Sequence, residues 1–165
     1  MQFVDIAKIS VKAGHGGQGA VSFRREKYVD KGGPDGGRGG NGGHVILKAS
    51  QHIQTLMDLK IKHVYKAKTG ESGKKKNMFG ANGKNEIIKV PCGTLIFDEN
   101  HNLIGDLKLN NQEIIIANGG KGGLGNSSFS TSTNQVPRYA QPGLPGEEKT
   151  ITLELRVIAD VGLVG

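Results

Sequence analysis

Glycines spaced three apart recur along this chain, and they restrict its fold more than any other feature. The run "GGPDGGRGGNGG" (32–43) holds eight glycines in twelve residues. Gly36, Gly39 and Gly42 form one series; Gly37, Gly40 and Gly43 form another. The same spacing occurs in "GHGGQG" (14–19), "GESG" (70–73), "GANG" (80–83), "GGKGGLG" (119–125) and "GLPG" (143–146). An extended helix of the polyproline II type has three residues per turn, so every third residue faces one way. Where such helices pack side by side, only glycine fits the inward face. Two readings are open on spacing alone: a bundle of glycine-faced extended segments, or flexible glycine-rich linkers. Collagen is excluded, because the runs are short and interrupted and the 165 residues include only five prolines.

The segments between the glycine runs read as strands. In "DIAKISVKA" (5–13), Ile9, Val11 and Ala13 alternate with Lys8, Ser10 and Lys12, the pattern of a half-buried strand. "HVILKA" (44–49), "EIIKV" (86–90), "TLIF" (94–97), "LIGDL" (103–107), "EIIIAN" (113–118) and "TITLELRV" (150–157) continue the series. "DENHN" (98–102) reads as a hairpin turn. "LKIKHVYKA" (59–67) alternates Leu59, Ile61 and Tyr65 with lysines, so it too is expected as a strand. A short helix around Gln54–Asp58 is the weakest feature of the pattern. The chain is expected to be mainly β.

The formal net charge is +7, which favours a polyanionic partner. Residues 60–89 hold nine lysines against Glu71 and Glu86 and so carry the whole excess. Three basic clusters lie beside glycine segments. They are Arg24, Arg25, Lys27 and Lys31; Lys74, Lys75 and Lys76; and Lys121 with Arg138. Each alone is an ordinary solvated surface. If the glycine segments bundle, their ends meet and the charges converge, ready to neutralise phosphates. "NSSFSTSTNQ" (126–135) adds hydroxyl and amide donors able to reach phosphates. With 5% aromatics and no Trp, a base-stacking platform is not expected, and contact with the backbone and shape of a folded RNA or DNA is.

Catalytic motifs are thin. "GHGGQG" is a literal G-x-G-x-x-G after a strand, but no helical stripe follows, so it does not make a dinucleotide fingerprint. "GGKGG" could form a nest for an anion and is too short to specify a nucleotide. The five histidines lack metal-ligand spacing, and Cys92, the only cysteine, allows no internal disulfide and suggests a reducing compartment. No stretch approaches the ~18 apolar residues of a membrane span, and no signal peptide is visible.

The stretch "FVDIAKISVKAGHGGQGAVSFRREKYVDKGGPDGGRGGNGGHV" resembles the start of Obg-family GTPases, and "FRREKYVDKGGPDGG" is highly specific to them. "NGGKGGLGN", "NQVPRYAQPGLPGEE" and "LELRVIADVGLVG" resemble later parts of the same domain and its join to the GTPase domain. The resemblance covers the whole chain. It implies an Obg fold over residues 1–158, a bundle of left-handed polyproline II helices joined to a small β-barrel. Residues 159–165 would begin the G domain, with Gly165 as the first glycine of its phosphate loop. GTP binding, Mg²⁺ and hydrolysis would belong to that domain, leaving no catalytic residue, metal or cofactor here. The implied role is docking on the large ribosomal subunit, at rRNA near the peptidyl transferase centre, in ribosome assembly and stress response. A cytoplasmic monomer without membrane contact is expected. The RNA-binding residues implied are Arg24, Arg25, Lys27, Lys31, Arg38, Lys74, Lys75, Lys76, Lys84, Lys121 and Arg138. Arg38 stands where acidic residues are common in the family, and "GKKKNMFGANGKN" replaces a differently arranged basic loop. Two other readings stay open. One is a rigid protein-interaction spacer that senses the nucleotide state of its own G domain. The other is a fragment that itself handles a nucleotide.

Overall fold

A computed structural model describes residues 2–25, 32–131 and 133–158. The strands are β1 (Gln2–Lys12), β2 (Val45–Ser50), β3 (Val64–Lys66), β4 (Glu86–Pro91), β5 (Thr94–Phe97), β6 (Leu103–Leu107), β7 (Glu113–Ala117) and β8 (Glu148–Ile158). One helix, α1 (Met57–Ile61), and a 3-10 turn (Asn126–Phe129) complete the described elements. One sheet has the order β3-β1-β8-β5-β6 and the other β4-β2-β7. Both sheets are mixed, since β1 runs parallel to β3 and β2 parallel to β4, while the remaining pairs are antiparallel.

The period-two pattern of the strands decides which side chains go inside. Ala7, Ile9 and Val11 of β1 are buried, as are Ile151, Leu153 and Leu155 of β8. Leu153 lies opposite Ala7 on one side and Ile96 on the other, which makes an apolar row across three strands. Val45, Leu47 and Ala49 of β2 join Ile88, Val90 and Ile116 in the same core. The barrel expected from the resemblance is thus two sheets around one apolar interior.

The strand expected over 59–67 is overturned in its first half. Residues 57–61 form α1, and β3 begins only at Val64. Leu56 and Leu59 are buried at helical spacing, while Ile61 is 73% exposed. The Asp5 carboxylate fixes the helix by accepting the Leu56 N–H (3.0 Å) and pairing with Lys60. Partial burial pushes the Asp5 carboxyl up. The hydrogen bonds from Lys60 and Leu56, with the Lys60 charge, outweigh it and hold the group below its ordinary value.

Each of the six glycine runs continues a strand, and together they form an arm. Segment 1 (14–20) leaves β1 and segment 2 (36–43) enters β2. Segment 3 (68–74) leaves β3 and segment 4 (78–84) enters β4. Segment 5 (119–126) leaves β7 and segment 6 (141–147) enters β8. Three run away from the sheets and three return. Methyls at Gly36, Gly39 and Gly42 would fall within 3.0 Å of the Ala20, Gly17 and Gly14 carbonyl oxygens of segment 1. Methyls at Gly37, Gly40 and Gly43 would meet Met78, Ala81 and Lys84 of segment 4 as closely. The N–H groups of Gly14, Gly17 and Ala20 donate to Gly43, Gly40 and Gly37 (2.9, 2.8 and 3.0 Å). Those of Gly37, Gly40 and Gly43 donate in turn to Lys74, Glu71 and Lys68 (2.9, 2.8 and 2.9 Å).

Each neighbour is therefore met by every third residue, the register of a segment with three residues per turn. Segments 1 and 2 lie at the centre, with segments 3 and 4 on one side and 5 and 6 on the other. Among the described glycines only Gly93 has a left-handed φ (93°). Glycine fills the arm because backbone meets backbone there, not because the chain turns left-handed. Backbone hydrogen bonding and close packing overturn the flexible-linker alternative.

Candidate nucleic-acid interface

The far end of the arm is where segments 1, 3 and 5 turn back. Three connections meet there, described over 21–25 and 32–35, over 75–77, and over 127–131 and 133–140. Their order comes from a few polar groups. Asn126, fully buried, is the hub. Its Oδ1 accepts the N–H of Gly36 (2.8 Å) and of Ser22 (3.3 Å). Its Nδ2 donates to the Ser22 carbonyl (3.0 Å) and the Pro137 carbonyl (3.1 Å). Ser127 Oγ donates to the Gly36 carbonyl (2.8 Å). Thr131 and Asn134 bond to one another. The expectation that "NSSFSTSTNQ" supplies free phosphate donors is therefore corrected for its first two residues, which hold the loops together. The donors of the backbone had to be satisfied somewhere, and this hydroxyl- and amide-rich run does it.

The first connection begins as two paired arms. Arg24 N–H donates to Gly33 (2.9 Å), and Asp35 N–H to Ser22 (2.9 Å). Asp35 is 4% exposed. Its Oδ2 accepts the Lys76 N–H (3.1 Å), and its carbonyl accepts the Asn77 N–H (2.6 Å). Its Oδ1 is buried with no hydrogen-bond partner among the described residues. An unpaired buried acceptor of this kind costs about 1–3 kcal/mol. The turn it holds is strained, because Lys76 (φ 61°) and Asn77 (φ 57°) are both left-handed.

Arg24, Arg25, Lys74, Lys75, Lys76 and Arg138 are all exposed and all belong to this end. Lys74 pairs with Glu71 at 3.8 Å; the other five have no ion pair among the described residues. Arg138 stands 6.0 Å from the Phe23 ring centroid. Phe129 and Tyr139 pack with ring centroids 4.9 Å apart, and Phe79, two residues after the 75–77 turn, is 73% exposed. Four of the seven aromatic residues among those described thus lie at this end, a concentration that composition hid. Between the first and second connections lies a cleft of about 410 Å³ lined by Val21, Ser22, Phe23, Arg25, Asp35, Lys75 and Lys76.

The other expected contacts lie apart. Lys84 is at the sheet end of segment 4, where its carbonyl accepts the Lys68 N–H. Lys121 is near the sheet end of segment 5, with its carbonyl on Leu144 N–H. Arg38 is half-buried, and its Nε is buried without a partner among the described residues. It lies within segment 2, and its carbonyl accepts the Gly80 N–H (2.9 Å) of segment 4. Lys27, Lys31 and Gly165 lie outside the described residues. "GHGGQG" becomes segment 1, and among the described residues between it and β2 there is no helix. Among the described residues no three His, Cys, Asp or Glu side chains gather as a metal site needs, and no helix is long and apolar enough to cross a membrane.

A family profile described as GTP1/OBG matches residues 4–157. The chain is 56% identical over 166 residues to a protein named GTPase Obg from Thermodesulfovibrio yellowstonii, covering all of this chain and 49% of that protein. It is 55% identical to the GTPase Obg of a Nostoc species, covering 48% of it, and 56% identical to that of Chlorobaculum tepidum, covering 50%. The chain spans about half the length of these curated relatives.

Proposed function

The chain belongs to the GTP1/OBG family, and on that premise we propose that it is the RNA-docking domain of a GTPase that works on the large ribosomal subunit. One observation carries the reading. Five cations without an ion pair among the described residues, Arg24, Arg25, Lys75, Lys76 and Arg138, stand at one end of a backbone-bonded arm. Such a cluster neutralises phosphates and releases their counterions. Its supports are fixed beforehand, so little ordering entropy is lost on docking. GTP binding, Mg²⁺ and hydrolysis are assigned to the half of the relatives that lies beyond this chain, as their shared name suggests. The subunit's rRNA near the peptidyl transferase centre, ribosome assembly and a cytoplasmic setting complete the proposal.

Co-sedimentation with large ribosomal subunits tests it. The wild-type chain should pellet with the subunit at low salt and release as salt rises. The double change Arg25→Glu with Lys75→Glu should abolish pelleting. Undiminished pelleting by that variant would remove the cations from the contact and with them this reading.

A further inference from the structure

We propose that His15 and His44 make the base of the arm pH-sensitive: segments 5 and 6 stay fully bonded to the central pair there only while both imidazoles are neutral, and acid loosens the joint. His44 Nδ1 accepts the Gly119 N–H of segment 5 (2.9 Å). His15 Nδ1 accepts the Gly146 N–H of segment 6 (3.0 Å). Both bonds lie at the sheet end, where segment 5 leaves β7 and segment 6 enters β8. A ring nitrogen that accepts a hydrogen bond carries no proton, so each neutral ring holds its proton on Nε2. Imidazolium has donors on both nitrogens and would set an N–H against the glycine N–H. His15 is exposed and His44 half-buried, so water can deliver the proton to both.

Neighbouring bonds in the arm show what histidine adds. Asn41 and His44 are three residues apart on segment 2, and they accept the N–H groups of Gly122 (3.0 Å) and Gly119, also three apart. Asn82, Asn85 and Gln141 likewise accept backbone N–H groups through their amide oxygens. An amide oxygen does this at any pH near neutrality; an imidazole, with an ordinary pKa of about 6.5, does not. Surrounding charge does not compensate an imidazolium. Lys12, Lys66 and Glu148 share a cleft with His15, and the segments packed on it add Lys68, Glu71, Lys121 and Glu147. The segments packed on His44 carry Lys68, Lys84, Glu86, Lys121 and Glu147. Lysines outnumber carboxylates in both sets. Glu147 remains an acceptor throughout, because the Asn118 side-chain and backbone N–H groups hold its carboxyl below the ordinary value. Backbone bonds from Gly42 N–H to Gly120 and from Gly120 N–H to Gly14 (2.8 and 2.9 Å) also persist, so the flank loosens without detaching.

Amide hydrogen exchange, read by NMR on the 165-residue chain and corrected for the intrinsic pH dependence of exchange, tests the joint. Opening frees the imidazoles to take protons that the bonded joint refuses, so stability of the joint falls as pH falls. Between about pH 7.5 and about pH 5, protection of Gly119 and Gly146 should drop roughly five- to tenfold, the scale of one lost hydrogen bond. Gly122 and Asn118, held by Asn41 and Glu147, should keep theirs. His44→Asn supplies an acceptor that does not titrate. It should make Gly119 protection flat with pH and leave Gly146 pH-dependent. His15→Asn should do the reverse, so each histidine has its own readout and either variant decides if the other fails to fold. The same pH dependence at Gly119, Gly146 and Gly122 in the wild type overturns the proposal. So does an undiminished pH dependence of Gly119 in His44→Asn, or of Gly146 in His15→Asn.

Discussion

A methyl group at position 39 would press on the Gly17 carbonyl, which is itself fixed in the arm. Gly39→Ala must therefore push two backbones apart, and a loss of about 3 kcal/mol or more is expected in urea unfolding. Gly33 is the control, since no atom of the described residues lies within 4 Å of the space a Cβ would occupy. Gly33→Ala should be neutral, or stabilising by up to about 1 kcal/mol through the unfolded chain. Asn126→Ala orphans Gly36 N–H and the Pro137 carbonyl in a buried setting and takes from the Ser22 carbonyl one of its two donors, the other being Asp35 N–H. A loss on the order of 3 kcal/mol is expected, together with faster protease cleavage inside 127–140. The importance of the glycines was legible in their spacing. That of Asn126 was not, because three of its four side-chain bonds run to Ser22 and Gly36, far away in the chain, and an asparagine in a polar run reads as surface.

Strands announce themselves through alternation, and seven of the eight described strands follow the alternating or apolar runs, β3 being shorter than its run. Helix α1 announced itself only faintly, as a short helix around Gln54–Asp58 that lies instead at Met57–Ile61, because five residues hold little more than one turn. The alternation of Leu59, Ile61 and Tyr65 mimicked a strand that only Leu56 and its bond to Asp5 could rule out. That anchor has a pH signature. The Asp5 carboxyl is held below its ordinary value of 3.8 in the folded chain. Its contribution is therefore present above that value and lost as pH falls through the folded one. Stability of the wild type should drop more steeply than that of Asp5→Asn below about pH 4, as read by urea midpoints across an acid series. At the 75–77 turn, Lys76→Gly relieves a left-handed lysine, and the melting temperature should hold or rise.

Charge along the chain does not say which cations share a surface. Their separation into an end cluster and two residues near the sheets, Lys84 and Lys121, appears only once the segments are laid side by side. RNA affinity should report the division. Arg24→Ala and Lys75→Ala should each lower the slope of log affinity against log salt by about 0.7–0.9. Lys84→Ala and Lys121→Ala should leave it unchanged. The arm also differs from the sheets in what it hides from water. The sheets bury leucine, isoleucine and valine, whereas the arm buries peptide groups and hydrogens on Cα. Exposure of apolar surface raises the heat capacity of unfolding and exposure of polar surface lowers it. Calorimetry should therefore give this chain a heat-capacity increment below the roughly 12–15 cal/mol/K per residue of ordinary domains. Its stability curve is correspondingly flat, and an arm held by peptide hydrogen bonds keeps its stiffness in the cold, where hydrophobic cores weaken.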